Sequence, residues 1–545
     1  MKRRIRNRRF ALVVALLVLT LALPSVALAD GPDFRTVTVV STNDVHGALV
    51  GRVHSWSHGD VVGSSDWVAG YINTVRDKQG ADEVLLLDAG DTMQGTLISN
   101  YFYGASTIEI YNEMGYDATA IGNHEFDWGQ DVLVDRVGQA EFPFLSANIV
   151  YNELGPAPGD RPDWATPYTI KVINDVTVGI IGVTTPDTPS VTNPVNVANL
   201  AFTDPADAVT DLVDDVEAEG ATVIIVLAHM GGFWPLGEDD EVYNLAMGLD
   251  SEEIDLIVSG HTHANLHDWV NDIPIMQAYS SGTALGRIDL IVEKESGEVA
   301  DIKEFSVTTT YNTYYGGPAQ YDGEVVVADP DVTVIVEYYE AQVEEVKNEV
   351  IGETTTAITR NYRYESAMGD WVTDIMRDYE YAPGIDFAFT NSGGLREDID
   401  AGPITFGEVF EAIPFDNTVV VVELDGSEVV QVLEEGITGA HGVVQVSGLQ
   451  FTFDYDAPVG SRIIGDVIDL STGLPLDPTA TYYVAVNDFM ANGGDDYGTL
   501  AANPQVNTYV LVRDLVVDWT KANSPFTPPD PAVEQRITAL GTPPS

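Results

Sequence analysis

From Arg35 to about Asp301 the chain repeats one pattern, a short β-branched apolar run followed by a longer polar or helix-patterned segment. The runs are TVTVVS, EVLLLDAG, DATAIG, VTVGIIGV, ATVIIVLA, EIDLIVSG and IPIMQAY. Continuous apolar runs of this length read as strands buried on both faces, and their alternation with helical stretches predicts stacked α/β layers. The pattern breaks between about Ser306 and Gly323 into the aperiodic TTTYNTYYGGPAQYDG. Next, DPDVTVIVEYYEAQVEEVKNEVIGE opens with a proline at a helix start and runs to Gly352, which predicts one Glu-faced helix acting as a long exposed connector. Beyond it, Thr354 to about Lys521 forms a second unit, with strands in FAFTNSG, NTVVVVELDG, VVQVSGLQFTFD and TYYVAVND. The last residues, ANSPFTPPDPAVEQRITALGTPPS, are proline-rich and predict a flexible tail.

The first residues follow a different pattern. MKRRIRNRRF and then ALVVALLVLTLALPSVALAD give a basic head, an apolar run broken at Pro24, and small residues at Ala27 and Ala29, which predicts a secretory signal cut after Ala29. The apolar run from Phe10 to Leu23 holds 14 residues, short for a membrane span. No later segment is apolar enough to cross a bilayer, and no apolar lipid-anchor tail is present. The expectation is an exported protein, extracellular or in the cell envelope, and periplasmic where there are two membranes.

Charge narrows the partners. The leader holds six of the 25 basic residues, so the mature 516 residues carry 19 basic groups against 85 acidic ones, a formal −66. Such a surface repels polyanions, which excludes nucleic-acid polymers and anionic lipid surfaces as partners and makes each arginine informative. The chain has no cysteine, so any metal site must use nitrogen and oxygen ligands.

Those ligands recur after the apolar runs. TVTVVSTNDVHG ends in Asp44 and His46, EVLLLDAGDTMQG in Asp91, DATAIGNHEFD in Asn123 and His124, ATVIIVLAHMGG in His229, and EIDLIVSGHTH in His261 and His263. Side chains at the carboxyl ends of strands in an α/β sheet converge on one crevice, so residues far apart in the chain can share a site. Two Asp, one Asn and several His suit two divalent ions of the Zn, Mn, Co or Fe type. For two ions ~3.5 to 4 Å apart one carboxylate must bridge, which predicts Asp91 as the shared ligand. Such a pair lowers the pKa of water toward ~7 and clamps the oxygens of an in-line phosphoryl displacement.

TNDVHG, GDTMQG, GNHEFD, AHMG and GHTH, in this order, resemble the calcineurin-like metallophosphoesterases, and specifically their 5′-nucleotidase family. The resemblance covers essentially the whole mature chain. It implies a four-layer α/β/β/α catalytic domain (residues 30–329) after the 1–29 leader, a linker helix (330–352), an α+β nucleoside-recognition domain (353–522) and the 523–545 tail. It also implies one metal held by Asp44, His46, Asp91 and His263 and a second held by Asp91, Asn123, His229 and His261. Asn123 then supplies a neutral ligand, and His124 points at the phosphate. Asp127, one turn along, can reach the imidazole and keep it cationic near neutral pH, so that it stabilises transition-state charge or protonates the leaving oxygen.

The second unit bears on what is bound. TRNYRYESAMGD places Arg360 and Arg363 ahead of a helix, and TNSGGLRED places Asn391 and Arg396 around a Ser-Gly-Gly turn, where planar guanidinium forks suit a phosphate. Phe415 in AIPFDNTVV and Phe489 in VNDFMANGGDDYG are candidates to sandwich a planar base. The resemblance implies that they bracket the base, that Asn417 contacts it, and that Asp495 binds ribose hydroxyls. The expected activity is hydrolysis of nucleoside 5′-monophosphates, small-molecule nucleotides being the partners. The alternatives are 2′,3′-cyclic phosphodiesterase with 3′-nucleotidase activity, UDP-sugar hydrolysis, or a non-catalytic nucleotide-binding surface protein.

Overall fold

The computed structural model describes residues 33–54 and 56–543; the expected leader, residues 1–29, lies outside them. Two six-stranded sheets form the N-terminal domain. The first runs, in spatial order, Val299–Thr309, Ala284–Glu293, Phe34–Thr42, Val84–Asp88, Ala118–Ala120, Phe144–Leu145. The second runs Asn265–Val270, Ile273–Ala278, Leu256–Ser259, Val223–His229, Val176–Thr184, Tyr168–Ile173. The apolar runs supply the parallel centres of both sheets. The strands 284–293, 299–309, 265–270 and 168–173 pair antiparallel at the flanks.

The sheets face each other through a dry core that includes Val39, Leu85, Leu87, Ile180, Ile225 and Leu227. Helices Ser65–Gln79 and Ala105–Met114 cover the outer face of the first sheet, and Pro205–Ala218 and Glu241–Gly248 that of the second. The result is the four-layer α/β/β/α order. Because both faces of each sheet are covered, alternation is absent from the central strands and chemistry is confined to their ends.

The linker helix, Pro330–Lys347, starts where the proline signal places it, with the Asp329 side chain accepting from the backbone of Asp331 and Val332. It is not the exposed connector expected. Val332, Val336, Tyr339 and Val343 lie on one face and pack into the core beneath the helices Ser65–Gln79 and Ala105–Met114, each worth about 1.5–3 kcal/mol on burial. Glu residues crowd the opposite face, whereas the spacing of the four apolar residues makes the helix part of the N-terminal outer layer.

The second unit begins with the strand Val350–Thr354. Its five-stranded sheet has the order Gln445–Ser447, Phe387–Thr390, Thr481–Asn487, Thr418–Asp425, Gln505–Leu511, and a four-stranded sheet has the order Leu474–Pro475, Ile463–Asp469, Leu449–Asp454, Ile537–Leu540. That last strand corrects the expected flexible tail. Ile537–Leu540 pairs in parallel with Leu449–Asp454. Phe526 stacks on Trp371 at 5.7 Å between ring centres. Arg536, 5% exposed, places Nη1 and Nη2 at 2.7 and 2.9 Å from the two Asp374 oxygens. Prolines flank Ile537–Leu540 on both sides, at 525–531 and 543–544, so a composition averaged over the segment hides a four-residue strand. Among the described residues no helix is long and apolar enough to cross a membrane.

Candidate metal centre and substrate cleft

The strand ends converge. Asp44, Asp91, Asn123 and His229 are almost wholly buried, and His46 nearly so. Two triads form, Asp44 with His46 and His263, and Asp91 with His229 and His261; in each the potential ligand atoms all lie within 4.8 Å of one another. Asp91 connects them, its Oδ2 lying 3.1 Å from His229 Nε2 and 4.0 Å from His46 Nε2. Asn123 Oδ1 is 3.1 Å from His229 Nε2, and His263 Nε2 is 3.6 Å from Asp44 Oδ1.

Backbone geometry enforces this convergence. Asp44, His46, Asp91, His261 and His263 all have φ between 50° and 77°, a left-handed conformation that costs a non-glycine residue about 1–3 kcal/mol. The chain thus turns sharply just past the ends of the strands Phe34–Thr42, Val84–Asp88 and Leu256–Ser259. Gly122 permits the tightest approach, since a Cβ there would sit 2.2 Å from Asp91 Oδ1.

The imidazoles are oriented from behind. His46 Nδ1 donates to the Gln94 carbonyl and His229 Nδ1 to the Ala89 carbonyl, both at 2.8 Å. A carbonyl only accepts, so each Nδ1 carries a proton and each Nε2 faces the centre, as a lone pair wherever the ring is neutral. Burial drives His46 and His261 down to about 3 and His263 well below its usual value. Burial alone would raise Asp91, but the facing His229, His124 and His46 hold it well below the usual carboxylate range. His229 is also buried, yet Asp91 raises it to about 10, so this place favours positive charge. Neutral imidazole nitrogens and buried carboxylates aimed at one another are a donor set that fits divalent cations.

His124 takes a different role. Its Nδ1 lies 2.7 Å from Asp127 Oδ2, and Asp127 Oδ1 accepts from Thr192 Oγ1 at 3.0 Å. Burial opposes its protonation, but Asp127 and then Asp91 outweigh it and raise the imidazole above its ordinary value. Asp127 makes no helix-capping bond from its side chain; it serves the histidine.

The C-terminal domain closes over this centre. A cavity of about 220 Å³ is lined by His46 and His263 from one domain and by Arg360 and Arg396 from the other. Arg363 lies outside its wall, with its main-chain carbonyl accepting from Tyr455. Phe415 stacks on His124 at 5.6 Å between ring centres, with the Arg396 guanidinium 5.9 Å from the Phe415 ring. Phe489, in the short helix Asp488–Ala491, packs against Gly494. Phe415 thus stands at the metal-centre end of the cleft, beside His124. Asn391 Nδ2 donates to Asp495 Oδ2 at 2.7 Å, and Asn417 is half-buried beside the Phe415 loop.

Residues 37–265 match the calcineurin-like phosphoesterase family, and residues 346–502 match the 5′-nucleotidase C-terminal domain. The solved 5′-nucleotidase precursor of Thermus thermophilus is 31% identical, with a TM-score of 0.79 over 93% of this chain and 100% of its own. The chain belongs to the 5′-nucleotidase family of metallophosphoesterases. A snake venom 5′-nucleotidase from Gloydius brevicauda is 29% identical over 94% of this chain and 90% of its own length. The trifunctional nucleotide phosphoesterase protein of Bacillus subtilis is 29% identical over 93% of this chain. This chain spans 35% of that relative's length and 39% of a second Bacillus subtilis relative.

Two residues of this family member escaped the sequence reading. Glu125, 1% exposed, accepts from the backbone N–H of Gly122, Asp91 and Thr92 and from the Thr92 hydroxyl at 2.7 to 2.9 Å, tying the Asp91 loop to the Asn123 loop. It stands inside GNHEFD, where an acidic residue between the candidate dyad partners His124 and Asp127 is the available signal. His441, between Gly439 and Gly442, lies 3.8 Å from Asp495 and 3.3 Å from Asp496. A lone histidine in a glycine-rich loop carries no such signal.

Proposed function

We propose that the protein is an exported phosphoric monoester hydrolase that converts nucleoside 5′-monophosphates to nucleoside and phosphate with two divalent metal ions. The observation that carries this reading is the position of Asp91, whose single carboxylate faces an imidazole of each triad. Asp44, His46, Asp91 and His263 would hold one ion, and Asp91, Asn123, His229 and His261 the other. When bound, the pair supplies Lewis-acid charge and lowers the pKa of water.

The chain's own groups do the rest. His124, kept cationic by Asp127, faces the transferring phosphoryl group and hands a proton to the leaving oxygen. Arg360 and Arg396 grip equatorial oxygens and offset the acidic surface locally. Phe415 and Phe489 take the base, Asn417 contacts it, and Asn391 and Asp495 take the sugar hydroxyls. Arg363 stands further from the cavity and is the weakest member of the set. Export rests on the leader pattern of residues 1–29.

Phosphate release from AMP, UDP-glucose and 2′,3′-cyclic AMP, measured side by side with and without chelator, tests the reading. AMP is expected to be the best substrate, with activity abolished by chelation and restored by Mn, Co or Zn. Preference for one of the other two would assign a different family activity. Binding of nucleosides with no phosphoester cleaved under any metal would leave a binding protein.

A further inference from the structure

Arg52 belongs to none of the motifs above. It stands on the short strand Arg52–Val53 of the N-terminal domain, and its Nη1 reaches Glu397 Oε1 at 3.2 Å and Glu411 Oε2 at 3.5 Å, both on the C-terminal domain. These three side chains line the same cavity as His46, His263, Arg360 and Arg396. Glu397 directly follows Arg396. Glu411 lies in the helix Phe406–Ala412, just ahead of Phe415. Asn100, also in the N-terminal domain, donates from Nδ2 to the Pro414 carbonyl at 3.1 Å. The N-terminal domain therefore grips, from two points, the two segments that carry Arg396 and Phe415 to the metal centre.

An arginine in so acidic a chain suggests a second anion site. Two carboxylates already meet its charge, however, and an incoming phosphate would have to displace both. The pairing is better suited to holding one domain against the other.

We propose that Arg52 is a positioning residue, a salt-sensitive latch that registers Arg396 and Phe415 over the metal centre by pairing with Glu397 and Glu411 across the cleft. The roles of Arg396 and Phe415 rest on the function proposed above, but the ion pair itself does not. The Arg52, Glu397 and Glu411 side chains are 32%, 46% and 32% exposed, so dissolved salt reaches and screens them. Pairs of this exposure bias an equilibrium by up to about fivefold.

The absence of native cysteine allows two spin labels to be placed uniquely. Val172→Cys marks the N-terminal domain and Val459→Cys the C-terminal domain, at positions 67% and 61% exposed. Pulsed dipolar spectroscopy on the full chain at low and high ionic strength then reads the interdomain distance without any turnover. Raising salt across the Debye-screening range, from about 0.01 M to about 1 M, is expected to add a second distance population to the unmodified pair. Arg52→Gln should show that population already at low salt and lose the salt response; Glu397→Gln should weaken the response, and Arg52→Lys should retain most of it. In the AMP assay Arg52→Gln should raise KM about fivefold, with kcat and metal content unchanged. Identical distances and salt responses in Arg52→Gln and the unmodified chain would overturn the latch. So would a defect confined to nucleoside diphosphates with unchanged distances, which would make Arg52 an anion ligand. If no nucleotide is hydrolysed but the distances respond as described, the functional reading fails and the latch stands.

Discussion

His46 and His263, brought together from strand ends 217 residues apart, face each other with their Nε2 atoms 3.0 Å apart. Both imidazoles are held neutral by burial, and because His46 Nδ1 donates to the Gln94 carbonyl its Nε2 is a lone pair that either accepts from His263 Nε2 or faces a cation with it. Asp91, which reaches toward both triads, and His124, which faces a carboxylate on its other side, therefore have separable duties. Asp91→Ala is expected to lose most bound metal, by elemental analysis, and all activity. His124→Ala should keep its metal and lose about 10²- to 10⁴-fold in kcat, the usual contribution of a positioned proton donor. Equal metal loss in both variants would overturn this division.

The His124–Asp127 pair sets a pH dependence. Its folded-state pKa lies above the ordinary value, so the cation persists past pH ~6.5 and is lost as pH rises through the raised value. Stabilisation from the pair follows the same course: complete below the unfolded value and gone above the folded one. In Asp127→Asn the basic limb of the kcat profile is expected to move to lower pH, while the metal content stays constant. A limb that stays in place would show that another group titrates there.

Glu125→Gln tests how two loops are held together. The amide keeps one acceptor and turns an N–H₂ toward backbone donors, breaking part of the four-bond cradle. Metal affinity, measured by competition with a chromophoric chelator, is expected to fall about 10- to 100-fold, as when groups behind a metal ligand are removed. An unchanged affinity would reduce Glu125 to a packing residue.

Arg536→Ala takes the cation from Asp374, which keeps only the Ser447 hydroxyl, and from the buried Asp370, 3.7 Å from Arg536 Nε. Breaking a fully buried ion pair costs about 3–5 kcal/mol. Because Asp374 is a third exposed, solvent compensates part of this, and about 2–3 kcal/mol is expected in urea unfolding of the full chain. A loss under about 0.5 kcal/mol, the level of an ordinary surface change, would mean that the last strand is held by pairing alone.

The apolar runs made the N-terminal layers and the metal-ligand candidates legible, because a buried strand that ends in Asp or His advertises both its burial and its end. What escaped depended on partners far along the chain. Glu125 reads as an ordinary acid until Gly122, Asp91 and Thr92 turn their amides toward it. The apolar face of the linker helix has no meaning until the helices Ser65–Gln79 and Ala105–Met114 are beside it. Arg52 shows no periodicity, and its two carboxylates come from a different domain. Ile537–Leu540 was masked by the prolines on either side of it, since a strand of that length is recognisable only by its neighbour.

That final strand governs when the second domain can finish folding. Leu449–Asp454 lacks its parallel neighbour until synthesis has passed Leu540, so its sheet stays open along one side until then. A polypeptide cut short before Ile537 would carry that raw edge permanently, ready to pair with another copy.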